Sequence, residues 1–307
     1  MNPTRRNFLK SSLGAGASFA FGASSFFEEN KVSFSISPDF KLKIYATNWG
    51  FEGDMMAFCE KAKESGYDGI ELWAPRGEEK VADFKEAVEK YGLSYGFLVG
   101  NWGKTYEEHL RFFRDYVDYA LEMKPDFINC HSGKDFFSFE QNQAFIEHTN
   151  KRNNESGIPI SHETHRGRML FNAPLAQQFI EAMSDLRLTL DISHWTVVHE
   201  SLLEDQQEAV DLALERTDHV HSRVGFQEGP QIPEPRAPEY KSALDAHFSW
   251  WDKVVEHKSK AGETLSMTTE FGPPGYMWAL PYTQQPLANL WEVNSYMKDL
   301  WRERYDS

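Results

Sequence analysis

Arg187-Leu188-Thr189-Leu190-Asp191-Ile192 and His219-Val220-His221-Ser222-Arg223-Val224 are two short β-type runs, and residues 200–216 between them carry apolar side chains at helical spacing. Together they read as strand, helix, strand. The same alternation continues along the chain. Further strands are expected at 42–47, 69–73, 94–99, 127–131, 159–165 and 265–271, with helices over 53–65, 79–91, 105–123, 139–152, 174–184, 240–261 and 285–303. Ser65-Gly66, Tyr91-Gly92 and Ala261-Gly262 supply helix exits, where glycine accepts the left-handed backbone that ends a helix. Eight strand–helix pairs are the number that closes a barrel, so the expected fold class is α/β, a single (β/α)8 TIM barrel over residues 41–307. A doubly wound sheet is disfavoured, because Ala46-Thr47-Asn48-Trp49-Gly50 is not the glycine-rich phosphate turn of that architecture. Residues 225–239, with Pro230, Pro233, Pro235 and Pro238, form a long irregular loop at the end where barrels do chemistry, either a lid or a plain connection.

Composition narrows the class. Hydrophobic residues make up 40% of the 307 and charged residues 26%, enough apolar mass for a sizeable core and unlike a disordered protein. Asp and Glu outnumber Lys and Arg by 47 to 32, for a formal charge of −15, which speaks against general electrostatic attraction to nucleic acid. No nucleic-acid partner is expected. Cys59 and Cys130 are the two cysteines, too few for a disulfide framework or a cysteine-based zinc site. Cys130 precedes His131, but adjacent strand residues point apart, which removes a Cys–His nucleophile.

Active sites of barrels lie where strands end. The fifth strand ends Ile160-Ser161-His162-Glu163-Thr164-His165-Arg166, the sixth Leu190-Asp191-Ile192-Ser193-His194-Trp195, the seventh His221-Ser222-Arg223 and the eighth Thr269-Glu270-Phe271-Gly272. Four consecutive strands therefore deliver Glu, Asp, His and Glu to one rim. Alone, each acid reads as a helix cap or an ion-pair partner. Together, three carboxylates repel unless a cation joins them. Oxygen donors with one imidazole suit one divalent metal ion: Mn2+, Mg2+, Co2+ or Zn2+. Strand alternation puts Glu163 on a face with Ser161 and His165 and turns His162 away, and it sets His219 deeper than His221 on one face. Arg166, Arg168 and Arg223 are candidate anchors for a carboxylate, phosphate or ring oxygen, or else partners of the site's own acids. His131, ending the fourth strand, reaches substrate or hydrogen-bonds within the barrel. Trp49, Trp73, Trp102 and Trp195 follow strand ends, where flat aromatic faces can stack on sugar C–H surfaces. Trp250 and Trp251 lie on a helix and read as packing.

These motifs, in this order, resemble the xylose isomerase-like barrel superfamily, in its sugar phosphate isomerase/epimerase branch, over residues 41–303. In the ketose 3-epimerase relatives, Glu, Asp, His and Glu from strands five to eight hold one divalent metal; the resemblance implies Glu163, Asp191, His221 and Glu270 as ligands here. Asp191-Ile192-Ser193-His194 matches the family's Asp-x-x-His, which implies that His194 touches the small-molecule sugar substrate. His165, Arg166, Arg223, His131 and Trp49 are the further substrate-binding candidates. Two departures narrow the reading. The apurinic endonuclease branch builds its metal site with extra histidines, whereas the corresponding stretches here are Glu234-Pro235-Arg236 and Val99-Gly100-Asn101, which argues against DNA repair. Arg223 follows the strand-seven His more closely than the arginine of the ketose epimerases, which leaves the sugar open. No glycine-rich phosphate cradle follows strand seven or eight, so an unphosphorylated sugar is expected. Barrels of this type often pair through their helical faces, so a homo-oligomer is among the expected assemblies.

The implied function is a divalent-metal-dependent sugar isomerase/epimerase. A metal on the carbonyl and the neighbouring hydroxyl stabilises the enediolate left when a C–H proton is removed. Returning the proton on the other face inverts the carbon, and returning it to the adjacent carbon isomerises. In the family the two glutamates are the acid/base pair on opposite faces of the sugar. That casts Glu163 and Glu270 as proton carriers here, with His165 or His194 the alternative base, since imidazole titrates near neutrality. The same groups suit a lyase or hydrolase of keto-sugar glycosides; a noncatalytic sugar-binding barrel would not need two opposed glutamates.

Thr4-Arg5-Arg6-Asn7-Phe8-Leu9-Lys10, then a weakly apolar run from Ser11 to Phe27, resembles a twin-arginine export signal over residues 1–30, with 31–40 a short linker. The resemblance implies the twin-arginine export machinery as a partner and a periplasmic or exported location, with membrane anchoring if the segment stays uncleaved. Folded export suits an enzyme loaded with its metal in the cytoplasm, and it favours glycosides over phosphate esters.

Overall fold

The β-type runs form eight parallel strands: β1 Lys41–Thr47, β2 Gly69–Trp73, β3 Ser94–Gly100, β4 Ile128–His131, β5 Ile160–Glu163, β6 Leu188–Leu190, β7 Thr217–His221 and β8 Thr264–Thr269. They pair in chain order and close on themselves, the seam running from Lys41 opposite Thr264 to Ala46 opposite Thr269. The fold is the expected single TIM barrel. It is seen in a computed structural model that describes residues 32–306; the expected export signal at 1–30 lies outside the described residues. Residues 32–40 carry no regular element, and Val32, Phe34, Ile36 and Phe40 pack against the core. Among the described residues no helix is long and apolar enough to cross a membrane.

The helices are α1 Met55–Glu64, α2 Glu78–Tyr91, α3 Tyr106–Glu122, α4 Phe139–Ser156, α5 Ala173–Ala182, α6 Ser193–His199, α7 Gln207–Glu215, α8 Lys241–Ala261 and α9 Leu290–Tyr305, with a 3-10 turn at Pro238–Tyr240. Phe58, Phe84, Phe113, Phe145, Phe179, Trp251 and Trp301, one from each of seven helices, are fully buried in the layer between helices and strands. Each such side chain contributes roughly 1.5–3 kcal/mol by leaving water. The helix exits behave as read: Gly92 and Gly262 cap α2 and α8 in left-handed conformations.

Branched apolar side chains usually fill a barrel of this kind. This one is polar inside: Tyr45 Oη bonds Asp126 at 2.8 Å, Ser161 Oγ and Thr189 Oγ1 lie 2.6 Å apart, and His219 Nδ1 lies 2.7 Å from Ser266 Oγ. A register shift between β6 and β7 pairs Leu188 with Thr217 but Thr189 with His219. The extra residue lets Thr217 turn outward, where its hydroxyl donates to Ala213 O of α7 at 2.8 Å, while His219 and His221 face inward.

The sixth unit departs from the sequence reading. β6 stops at Leu190, α6 follows at once, and the helix expected over 200–216 is only the nine-residue α7. Glu200 and Leu203 take positive φ values of 49° and 62° between the two helices, a backbone that costs energy for non-glycine residues; burial of Leu203 offsets it. Trp195 consequently lies on α6, fully buried, with its indole N–H donating to Leu170 O at 2.9 Å. It is a packing residue, and the expected sugar-stacking role is corrected. The proline-rich loop is fastened down: Ile232 N donates to Val224 O at 3.1 Å, and buried Gln231 exchanges hydrogen bonds with the Gly272 backbone at 2.9 and 3.3 Å.

Candidate active site

Glu163 ends β5, Asp191 follows β6, His221 ends β7 and Glu270 follows β8. All four side chains are buried, and one ligand atom from each lies within 4.8 Å of the others. His221 Nδ1 is 2.9 Å from Glu270 Oε2 and 3.7 Å from Glu163 Oε2. Glu163 Oε1 is a buried atom with no hydrogen-bond partner, while His221 Nδ1 and Glu270 Oε2 pair with each other and Glu270 Oε2 also with Arg223. Unmet polar valence of this kind is rare in native interiors and calls for a ligand. Three carboxylates and one imidazole turned on one point fit a divalent cation. Burial, with Glu270 and Glu163 adding to it against Arg223, pushes the Asp191 carboxyl up to about 7. Burial alone would raise Glu163 too, but His131 and His221 outweigh it and hold that carboxyl well below the usual range.

Two residues that the sequence reading passed over hold this cluster. Glu71, in the middle of β2 and fully buried, lies 3.0 Å from His221 Nε2 and 3.1 Å from His219 Nε2, and accepts from Thr268 Oγ1. Burial would raise its pKa, but His221 and His219 outweigh that and lower it. With Nε2 of His221 held by Glu71, Nδ1 is left for the cluster, the arrangement by which a carboxylate orients a metal-binding histidine. Asn129 of β4 donates to Glu163 Oε2 at 2.8 Å and to Glu71 Oε1 at 3.3 Å. The available signal was one carboxylate inside the otherwise apolar run Gly69-Ile70-Glu71-Leu72-Trp73, since a buried charge needs a partner.

A cavity of about 450 Å3 opens at this rim, lined among others by Trp49, Trp73, His131, His165, Arg223, Glu270 and Tyr276. His131 Nε2 lies 2.7 Å from Glu163 Oε2. His165 Nδ1 donates to Arg166 O at 2.5 Å, which leaves Nε2 for the cavity; burial, with His131 adding to it, holds the imidazole well below its usual pKa and hence neutral. His194 is fully buried, its ring centroid 3.9 Å from that of His165 and its Nε2 2.9 Å from Arg223 Nη2. Arg223 is consumed by the site's own acids: it pairs with Asp191 and lies 3.2 Å from Glu270 Oε2. Arg166 stacks 4.7 Å from the Tyr276 ring, and Nη1 of Arg166 and of Arg168 are buried without partners. Trp49 stands edge-on to Tyr276 at 4.8 Å and lies against Gly272, where any side chain would overlap the indole. His162 faces away from the site, as alternation requires, bonded on both nitrogens to Ser132 and Thr149 at 2.6 and 2.7 Å.

A closed parallel barrel with buried acids and a histidine converging at its C-terminal rim is the architecture of a TIM-barrel enzyme. More narrowly, the chain belongs to the xylose isomerase-like TIM barrel family, whose profile matches residues 59–224. Among solved structures it is similar to the 3-keto-D-glucoside 4-epimerase YcjR of E. coli, with 14% identity, a TM-score of 0.56, and coverage of 85% of this chain and 99% of that one. It also resembles the AP endonuclease, family 2, of Brucella melitensis, at 13% identity and TM-score 0.55, covering 84% and 98% of the two chains. A third is the probable 3-DHS dehydratase AsbF of Bacillus anthracis, at 13% identity and TM-score 0.53, covering 83% and 98%. At these identities the likeness is one of fold. No curated protein matches the sequence.

Proposed function

We propose that the chain is a divalent-metal-dependent sugar isomerase/epimerase that moves a proton beside a carbonyl. The observation carrying this reading is the set Glu163, Asp191, His221 and Glu270, brought together within reach of one point with Glu163 Oε1 left unpartnered. These four would hold the ion. A divalent cation, when bound, supplies positive charge that stabilises the oxyanion left by deprotonation.

The remaining work falls to the chain. Glu163 and Glu270 come from β5 and β8, with two strands between them, and flank the centre as the two proton carriers. His131 and Asn129 grip Glu163 Oε2, which leaves Oε1 as the atom that meets the sugar. Neutral His165 is the alternative base, through its open Nε2. Arg166 and Arg168 orient the substrate's oxygens, and the indole of Trp49 meets its C–H face. Support for a sugar substrate also comes from the epimerase in the similar fold. The reading includes export through the twin-arginine-like N-terminus.

The test is metal analysis of purified protein followed by NMR in D2O with free ketoses, aldoses and 3-keto-glycosides. Stoichiometric divalent metal, with deuterium entering beside the carbonyl and lost in Glu163→Gln and Glu270→Gln, is the expected result. No metal and no exchange across the panel would overturn it.

A further inference from the structure

We propose that Trp73 and Trp102 form a second-ring subsite, so that the substrate is a glycoside: its reacting keto-sugar ring lies in the cavity and its second ring lies on these indoles. The inference rests on the proposed function for the first ring and on separate observations for the second.

Trp73 ends β2 and lines the cavity, yet it is 40% exposed; Trp102, just after β3, is 47% exposed. Indoles carry the largest apolar area of any side chain, and two of them side by side in water at a pocket mouth mark a surface meant to be covered. Their ring centroids are 5.4 Å apart. Both lie against Gly100, where a Cβ would come 3.1 Å from Trp73 and 3.3 Å from Trp102. The pair is braced from below: Trp102 packs on Phe112 and Tyr116 at 5.0 and 6.0 Å. Arg76 in turn stacks on those two rings, 4.5 Å from Phe112 and 3.9 Å from Tyr116. Side chains held this way are already ordered before binding, which lowers the entropic cost of using them.

The platform is continuous with the chemistry. His131, 2.7 Å from Glu163, stands edge-on to Trp73 at 5.2 Å. A ring joined to a sugar that reacts at Glu163 therefore reaches Trp73 first and Trp102 next. Trp49 and Tyr276 line the same cavity and are the surface proposed for the first ring. The shared chemistry of the second unit is a flat ring with an apolar face, whether a sugar or an aromatic aglycone.

The experiment compares methyl, p-nitrophenyl and glucosyl 3-keto-glucosides on metal-loaded protein, by calorimetric affinity and by deuterium exchange. Wild type is expected to bind both two-ring compounds about tenfold more tightly than the methyl glycoside, and Trp102→Ala to erase that ratio. Trp102→Phe, which keeps a ring, restores part of it. The p-nitrophenyl and glucosyl arms identify which second ring is preferred, and a preference for either supports the subsite. A ratio near one in wild type, or one that Trp102→Ala leaves intact, overturns it. Binding preference without exchange would sink the proposed reaction and keep the subsite; exchange without preference would do the reverse.

Discussion

The two mouths of the barrel hold cavities of nearly equal size and opposite character. At the N-terminal end a cavity of about 490 Å3 is lined by Lys43, Asp126, Asp218, Lys258 and His219 among others. Its charges are matched: Lys43 with Asp126 at 2.7 Å, Lys258 with Asp218 at 2.6 Å and with Glu263 at 2.8 Å, and Arg187 with Asp218 at 2.6 Å. None of its lining side chains has a buried polar atom without a partner. At the C-terminal end, atoms of Asn129, Glu163, Arg166, Arg168 and His194 are left over. Volume does not separate the two, and net charge does not either. Unmet hydrogen-bonding capacity does, because folding alone would have eliminated it.

The comparison is sharpest in paired substitutions. Glu163→Gln removes a proposed proton carrier and is expected to cut solvent-deuterium exchange by roughly 10²–10⁴-fold, whereas Asp218→Asn, at the other mouth, leaves exchange at the wild-type level. If Asp218→Asn silenced exchange as thoroughly, the division of labour would collapse.

Glu71→Gln sits between the mouths. Through His221 it should weaken divalent-metal affinity by roughly 10–100-fold, read by competition with a chromophoric chelator. An unchanged affinity would make Glu71 a core residue and nothing more.

Asp218→Asn should instead register as stability, about 1–2 kcal/mol in denaturant unfolding, since Arg187 and Lys258 lose a partly exposed carboxylate. The smallest effect is in pH. Burial would raise Asp126 and Asp218, but the bonds from Lys43 and Tyr45, and from Arg187 and Lys258, outweigh it and lower both. Their folded values lie below the unfolded value of about 3.9, so each adds stability above that pH. The contribution is lost as pH falls through the folded values. The difference in melting temperature between wild type and Asp218→Asn should therefore be constant above about pH 4 and shrink below it.

The barrel was legible because its signal is local: apolar period and glycine exits recur within each unit. The four rim residues were legible because each ends a strand and strand order fixes which ends are neighbours. Glu71 was not, since its partners lie 148, 150 and 197 residues away and no pattern within a window of sequence contains them. The α6 helix was hidden by its own composition: Thr196, Val197 and Val198 are β-branched, which weakens the helical signal, and no element was expected between the strand ending at Ile192 and the helix beginning at 200. Arg223 was read with two outcomes open, anchor or internal partner, and only the folded distances to Asp191 and Glu270 choose the second.

The breadth of the pocket at Trp49 is set by an atom that is missing, the Cβ of Gly272. One codon change to alanine there would displace the indole and reshape the entrance, with Glu163, Asp191, His221 and Glu270 untouched. The shape of the entrance and the cluster beneath it are thus written in different residues. A lineage could reshape the entrance by trading single methyl groups under its tryptophans, and leave the four-residue cluster as it stands.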